Sequence, residues 1–354
     1  MPDVDHRGAA PAADNRVGPD LSEYESAAFA GALRSARSWF GAPRLDSTMG
    51  AWLPFLTLGL AATIGSVVGA VMLGGWYALG LGLLAAFVAF ITGAQLVLAA
   101  AVSATRPPPP CPGCQAEDSP FSPYDRTTGL LQHSLELWVA QEPLQFMGLP
   151  FGARMALVRM GDDLFVYSPI GLSDSLREAV EELGTVRWIL APNMLHHLYV
   201  AEWTEAFPEA EVWAAPKLAE RRPDIAWTGT LSEPEQATWD RGELDVAVAH
   251  GHAMHVEVAL FHQTSKTLLL CDLLENLGHA PETSLALRTM LGLGGMAGRP
   301  TPPTDWKWTI EDPAVMRAAI DRVLAWPFDR IVLAHGRLVD QDAKEALRRA
   351  FAFL

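Results

Sequence analysis

The chain has 354 residues, a formal net charge of −15 from 41 acidic and 26 basic side chains, and half of its residues are hydrophobic. So acidic a surface excludes nucleic acid as the main partner, because neutralising phosphates takes a basic face. The length suits two domains, or one domain with an added module.

Residues 1–20 mix Pro, Gly, Ala, Asp and Arg without periodicity and read as a disordered tail. Residues 21–45 read as an amphipathic helix lying before a membrane. Residues 51–103 hold two apolar runs. Neither Ala51–Leu73 nor Tyr77–Ser103 has a charged residue, and Gln95 is the one strongly polar side chain of the second run. Each exceeds the roughly 20 residues needed to cross about 30 Å of hydrocarbon. Gly74, Gly75 and Trp76 separate them, which predicts an all-α two-span hairpin in a lipid bilayer rather than a cleaved signal peptide. Arg34, Arg37 and Arg44 precede it and Arg106 and Arg126 follow it, while the connecting turn has no Lys or Arg. That asymmetry predicts an inner-membrane location with both termini and the soluble domain cytoplasmic. Ala61, Gly65 and Gly69 recur every four residues and give the first span a small face, for its neighbour or for a homodimer.

Residues 104–123 form a Pro-rich linker, with four consecutive prolines favouring an extended chain. Cys111 and Cys114 have C-x-x-C spacing but no second pair, which leaves zinc shared across a dimer and a redox role both open. Cys271 reads as a small buried strand residue.

Residues 124–354 form the soluble domain. The stretch 155–169 predicts a hairpin turning near Gly161, Asp162 and Asp163. A helix is expected over 173–184, a buried strand over 186–193, a helix over 196–207 and a strand over 211–216, then a helical KLAERRP. Three β-rich runs occupy 244–274. A helix near 313–325, a strand over 329–336 and a closing helix over 340–352 complete the pattern. Helices and strands in this order suit a sheet-on-sheet α/β core with helices outside.

Polar residues fall at strand ends. His196 and His197 follow one strand, Asp272 ends KTLLLCD, and His335 ends RIVLAH before Gly336. If those strands are neighbours, imidazoles and a carboxylate converge at one sheet edge, a donor set suited to zinc, iron or manganese. Glu202 reads as a surface or supporting residue, and His262 as a core histidine with a satisfied hydrogen bond.

APNMLHHLYVAEW, WAAPKLAERRPD, LFHQTSKTLLLCDLL and VLAHG resemble an uncharacterised domain-of-unknown-function family grouped with the metallo-β-lactamase-like proteins. The resemblance covers about 153–336 and none of the hairpin. It implies an αβ/βα sandwich with metal at the strand ends; an ion there would lower the pKa of a bound water and suit hydrolysis of a small-molecule substrate. In the wider superfamily an H-x-H-x-D-H run supplies two metal positions. Here Pro192 and Met194 stand where its first two histidines belong, which implies loss of one position. The other keeps one divalent ion, zinc or iron, on His196, His197, Asp272 and His335, with Asp272 also orienting water. His252, in HGHAMH beside His250 and His255, matches a further superfamily histidine, one that would serve the lost position. A single-metal hydrolase and a non-catalytic sensor or assembly module both fit. The Gly-, Pro- and Met-rich segment 279–308 reads as a lid or as a surface against the membrane.

Overall fold

In the computed structural model the described residues are 127, 129–146, 149–240, 242–252, 255–277, 298–303 and 306–354. The N-terminal tail, the juxtamembrane helix, the 51–103 hairpin, the C-x-x-C pair and most of 279–308 lie outside them. Among the described residues no helix is long and apolar enough to cross a membrane.

Successive side chains of a strand point to opposite faces, and the first sheet uses both. Its strands are β1 (Leu131–Ser134), β2 (Leu137–Glu142), β5 (Ala153–Met160), β6 (Asp163–Tyr167), β7 (Thr185–Ala191), β8 (Glu211–Ala214) and β9 (Gly229–Thr230). A small hairpin of β3 (Gln145–Phe146) and β4 (Leu149–Pro150) lies between β2 and β5 in the chain. The sheet order is β1-β2-β5-β6-β7-β8-β9, antiparallel up to β6 and parallel beyond it. Ala156, Val158, Phe165 and Tyr167 join one apolar cluster, while their neighbours Met155, Leu157, Leu164 and Val166 join another.

The second cluster is closed by helices α1 (Asp174–Leu183), α2 (Val200–Ala206) and α3 (Leu218–Arg221), through Leu176, Val180, Val200, Trp203 and Leu218. Ser173 starts α1, its Oγ accepting the N–H of Leu176 at 3.2 Å. The indole N–H of fully buried Trp203 donates to Ile170 O at 2.7 Å, so its polar atom is satisfied.

The second sheet has the order β10 (Leu244–Ala249), β11 (Glu257–His262), β12 (Thr267–Leu270) and β13 (Arg330–Leu333), with only the β12–β13 pair parallel. The remaining helices are α4 (Trp306–Thr309), α5 (Pro313–Ala325) and α6 (Ala343–Ala350). Asp312 caps α5 by accepting the N–H groups of Ala314 and Val315, and Pro313 begins the helix where no amide donor is needed. Helix α5 lies against β10 and α6 against β13. Side chains of the two sheets meet in the first cluster, and Trp239, in the loop before β10, packs edge-on to Phe165 there at 4.7 Å. The result is a mixed α/β fold in four layers, helix, sheet, sheet, helix. Tyr167 Oη donating to Val258 O (2.9 Å) and Val258 N donating to Pro192 O (2.8 Å) tie the sheets together.

Two of the expected boundaries that move bear on the site. The helix expected from 196 begins only at Val200, because the Asn193 side chain bonds the amides that would open it. The strand expected over 329–336 ends at Leu333, and the chain turns at once into the site.

Phe165 is fully buried between the sheets. Phe165→Ala is expected to cost about 3–5 kcal/mol, read as a lower urea midpoint followed by tryptophan fluorescence.

Candidate metal centre

Three loops at the ends of β7, β12 and β13 build the site. After β7, fully buried Asn193 accepts the N–H groups of Leu195 (2.9 Å) and His196 (3.0 Å) on Oδ1. This Asx turn presents the His196 ring, whose Nδ1 lies 2.7 Å from Ser168 Oγ at the end of β6.

After β12, fully buried Glu257 reaches from β11 and accepts three consecutive amides. Cys271 N donates to Oε1 at 2.8 Å, and Asp272 N and Leu273 N donate to Oε2 at 2.7 and 2.9 Å. Asn193 Nδ2 donates both to Glu257 Oε2 (3.0 Å) and to Asp272 Oδ2 (2.8 Å). Burial, and then the charge of Asp272, push the Glu257 carboxyl up to about 7. Burial works the same way on Asp272, but the charge and hydrogen bonds of His196 and His335 outweigh it and hold this carboxyl well below the usual range.

After β13, Ala334 N donates to Leu270 O at 3.0 Å and carries the chain to His335. Gly336 follows at φ 76°, where an added Cβ would sit 2.1 Å from Asn276 O, so only glycine fits. Buried Arg154 crosses from β5 and donates to Gln141 Oε1 (2.9 Å), to Leu333 O and to Gly336 O (3.1 Å), clamping both sides of His335. His335 Nδ1 donates to Gly152 O at 2.7 Å, which assigns that proton to Nδ1 and turns Nε2 inward.

The three inward atoms form a near-equilateral triangle. His196 Nε2 is 3.3 Å from Asp272 Oδ1, His335 Nε2 is 3.4 Å from the same oxygen, and the two Nε2 atoms are 3.1 Å apart. Donors bonded at about 2.0–2.1 Å to a tetrahedral ion stand about 3.3–3.4 Å apart. Spacing, donor chemistry and outward Nδ1 partners all fit one divalent ion. The two imidazoles and one carboxylate also match the facial donor set of non-haem iron. Among the described residues this is the one group of three or more His, Cys, Asp or Glu that meets at a point.

Two expected ligands stand elsewhere. His197 is buried with its back to the triangle, and its Nδ1 accepts the N–H of Arg222 Nη1 at 2.7 Å. Its proton therefore sits on Nε2, and neither nitrogen offers a lone pair to an ion. Burial, then the Arg222 charge, lower its pKa to about 4. His252 is committed in the same manner. Its Nδ1 accepts the N–H of His255 (2.9 Å), its Nε2 faces Thr309 Oγ1 (2.5 Å), and its ring lies against Trp306. Burial lowers its pKa to about 3. His262 pairs with Ser265 Oγ at 2.8 Å inside the sheet, as a core histidine does. Glu202 lies in the first turn of α2, outside the triangle. Asp272 Oδ2 is held by Asn193, so Oδ1 alone faces the centre and any orienting of water falls to that atom.

Asn193, Glu257, Ser168 and Arg154 escaped the sequence reading. One signal was present for Glu257, an acid inside the apolar run HVEVALF, which is costly to bury without partners.

Residues 136–292 match the family model described as "Domain of unknown function (DUF4336)". No curated protein matches this chain in sequence. Among solved structures, the metallo-β-lactamase from Pontibacter korlensis is similar at 14% identity and a TM-score of 0.44, over 63% of this chain and 98% of that one. The metallo-β-lactamase from Hirschia baltica gives 11% identity and 0.44, over 63% and 96%. The metal-soaked Flv1 flavodiiron core from Synechocystis gives 13% identity and 0.45, over 63% and 59%.

The triangle predicts a stoichiometry. The purified full chain is expected to bind one zinc or iron ion per copy, measured by elemental analysis. His196→Ala, Asp272→Ala and His335→Ala are expected to abolish binding, and His197→Ala and His252→Ala to retain it.

The lowered pKa of His197 predicts a pH slope. The folded chain holds the ring neutral while the unfolded chain takes up a proton below about 6.5. Its contribution is full above that pH and is lost as pH falls toward 4. In urea titrations between pH 7 and 4, His197→Gln flattens that part of the profile.

Proposed function

We propose that this chain is a metal-dependent hydrolase that works with one divalent ion, zinc or iron, on His196, Asp272 and His335, held at a lipid bilayer by the 51–103 hairpin. The observation that carries the proposal is the triangle of two imidazole nitrogens and one carboxylate oxygen at 3.1–3.4 Å. When bound, such an ion supplies Lewis acidity and lowers the pKa of a water toward about 7. The chain's own residues prepare that site. Gly152 O keeps the His335 proton on Nδ1, and Ser168 Oγ holds the outer edge of the His196 ring. With three donors spent on the protein side, the remaining coordination belongs to water and substrate, the pattern of catalytic rather than structural sites.

The test is turnover by the full chain in detergent, stripped of metal and then reloaded with zinc or iron(II), against generic esters, lactams and phosphodiesters. Ion-dependent hydrolysis is expected, reduced about 100-fold or more in Asp272→Ala and kept in His252→Ala. An ion that binds stoichiometrically with no turnover of any class overturns the hydrolase reading and assigns the centre to binding or sensing.

A further inference from the structure

The geometry points to Asn193 as the positioning residue that keeps Asp272 a one-oxygen ligand and thereby keeps a coordination place open. This rests on the metal reading above and goes beyond it, since Asn193 touches no point of the triangle. The side chain is fully buried and every arm of it is spent. Its Oδ1 takes the amides of Leu195 and His196, which sets where the His196 ring begins. Its Nδ2 bridges Asp272 Oδ2 and Glu257 Oε2. One residue therefore fixes two of the three donors relative to each other.

The carboxylate of Asp272 has two oxygens, and an ion at the triangle faces only Oδ1. Removing the amide frees Oδ2 to swing toward the centre as an additional ligand, which fills the place kept open for substrate and raises the coordination number. Glu257 does not replace the amide, because its oxygens are acceptors already engaged by Cys271, Asp272 and Leu273 amides.

Cobalt(II) reports coordination number, because its visible bands weaken as ligands are added. In the full chain, Asn193→Ala is the direct variant, but it also strips an acceptor from two buried amides. Asn193→Ser keeps a hydroxyl to cap the turn while withdrawing the amide donor, and circular dichroism checks that it folds. The expected result is cobalt bands in Asn193→Ser weaker than in the parent chain, with cobalt affinity down roughly 10–100-fold, the usual effect of losing a partner behind a ligand. A folded Asn193→Ser with the parent's cobalt spectrum and affinity overturns the inference, even where its urea midpoint has dropped. A parent chain that takes up no cobalt overturns the metal reading, and this inference with it.

Discussion

The site depends on a carboxylate that binds no ion. Glu257 is sealed between the sheets, and an unpaired charge there would be prohibitively costly. The chain answers with four donors, the amides of Cys271, Asp272 and Leu273 and the side chain of Asn193. Consecutive amides aimed at one anion form a nest, and here the anion comes from the neighbouring strand. The turn after β12 is thereby wrapped around a fixed point, and Asp272 is delivered to the sheet edge with its orientation decided. Burial lifting Glu257 to about 7 is the residual cost of that arrangement, and the opposed shift of Asp272 shows which acid faces positive partners.

Two imidazole nitrogens 3.1 Å apart need something positive between them. A proton meets the requirement for one pair of atoms. An ion meets it for all three corners, since Asp272 Oδ1 stands at nearly the same distance from both rings. Protons and an ion would therefore compete for the same lone pairs, and ion affinity is expected to fall as pH falls. Supporting bonds at Gly152 and Ser168 lie outside the triangle, so the donors are held whichever occupant is present.

Much of the scaffold could be read from local pattern. Alternation marks β5 and β6 with their turn at Gly161, Ser173 and Gly184 bound α1, and the Asp312-Pro313 pair opens α5. Strand ends bearing His196, Asp272 and His335 were legible for the same reason, since position on a strand follows from period. The expected membrane hairpin rests on composition alone. What escaped was the identity of hydrogen-bond partners across long separations. Asn193 and Glu257 are 64 residues apart, and Arg154 meets Gly336 across 182. No periodicity reports such pairs, because they arise only when the two sheets close on each other.

The paired histidines of APNMLHH show why residue type underdetermines role. Both are buried or nearly so, both follow the same strand, and both carry a strong donor. Backbone geometry separates them. The Asx turn at Asn193 sends His196 toward β12 and β13, and the next side chain leaves on another bearing toward α3. There Arg222 spends the lone pair of His197 and, by its charge, disfavours any second cation on that ring. Arg222 is steadied by Asp224 at 2.7 and 2.8 Å. A ligand histidine needs an acceptor behind it, and a structural histidine accepts from a donor beside it. His335 against Gly152 O meets the first condition, while His197 against Arg222 meets the second. Tautomer, set by the partner of the other ring nitrogen, divides the centre from its surroundings.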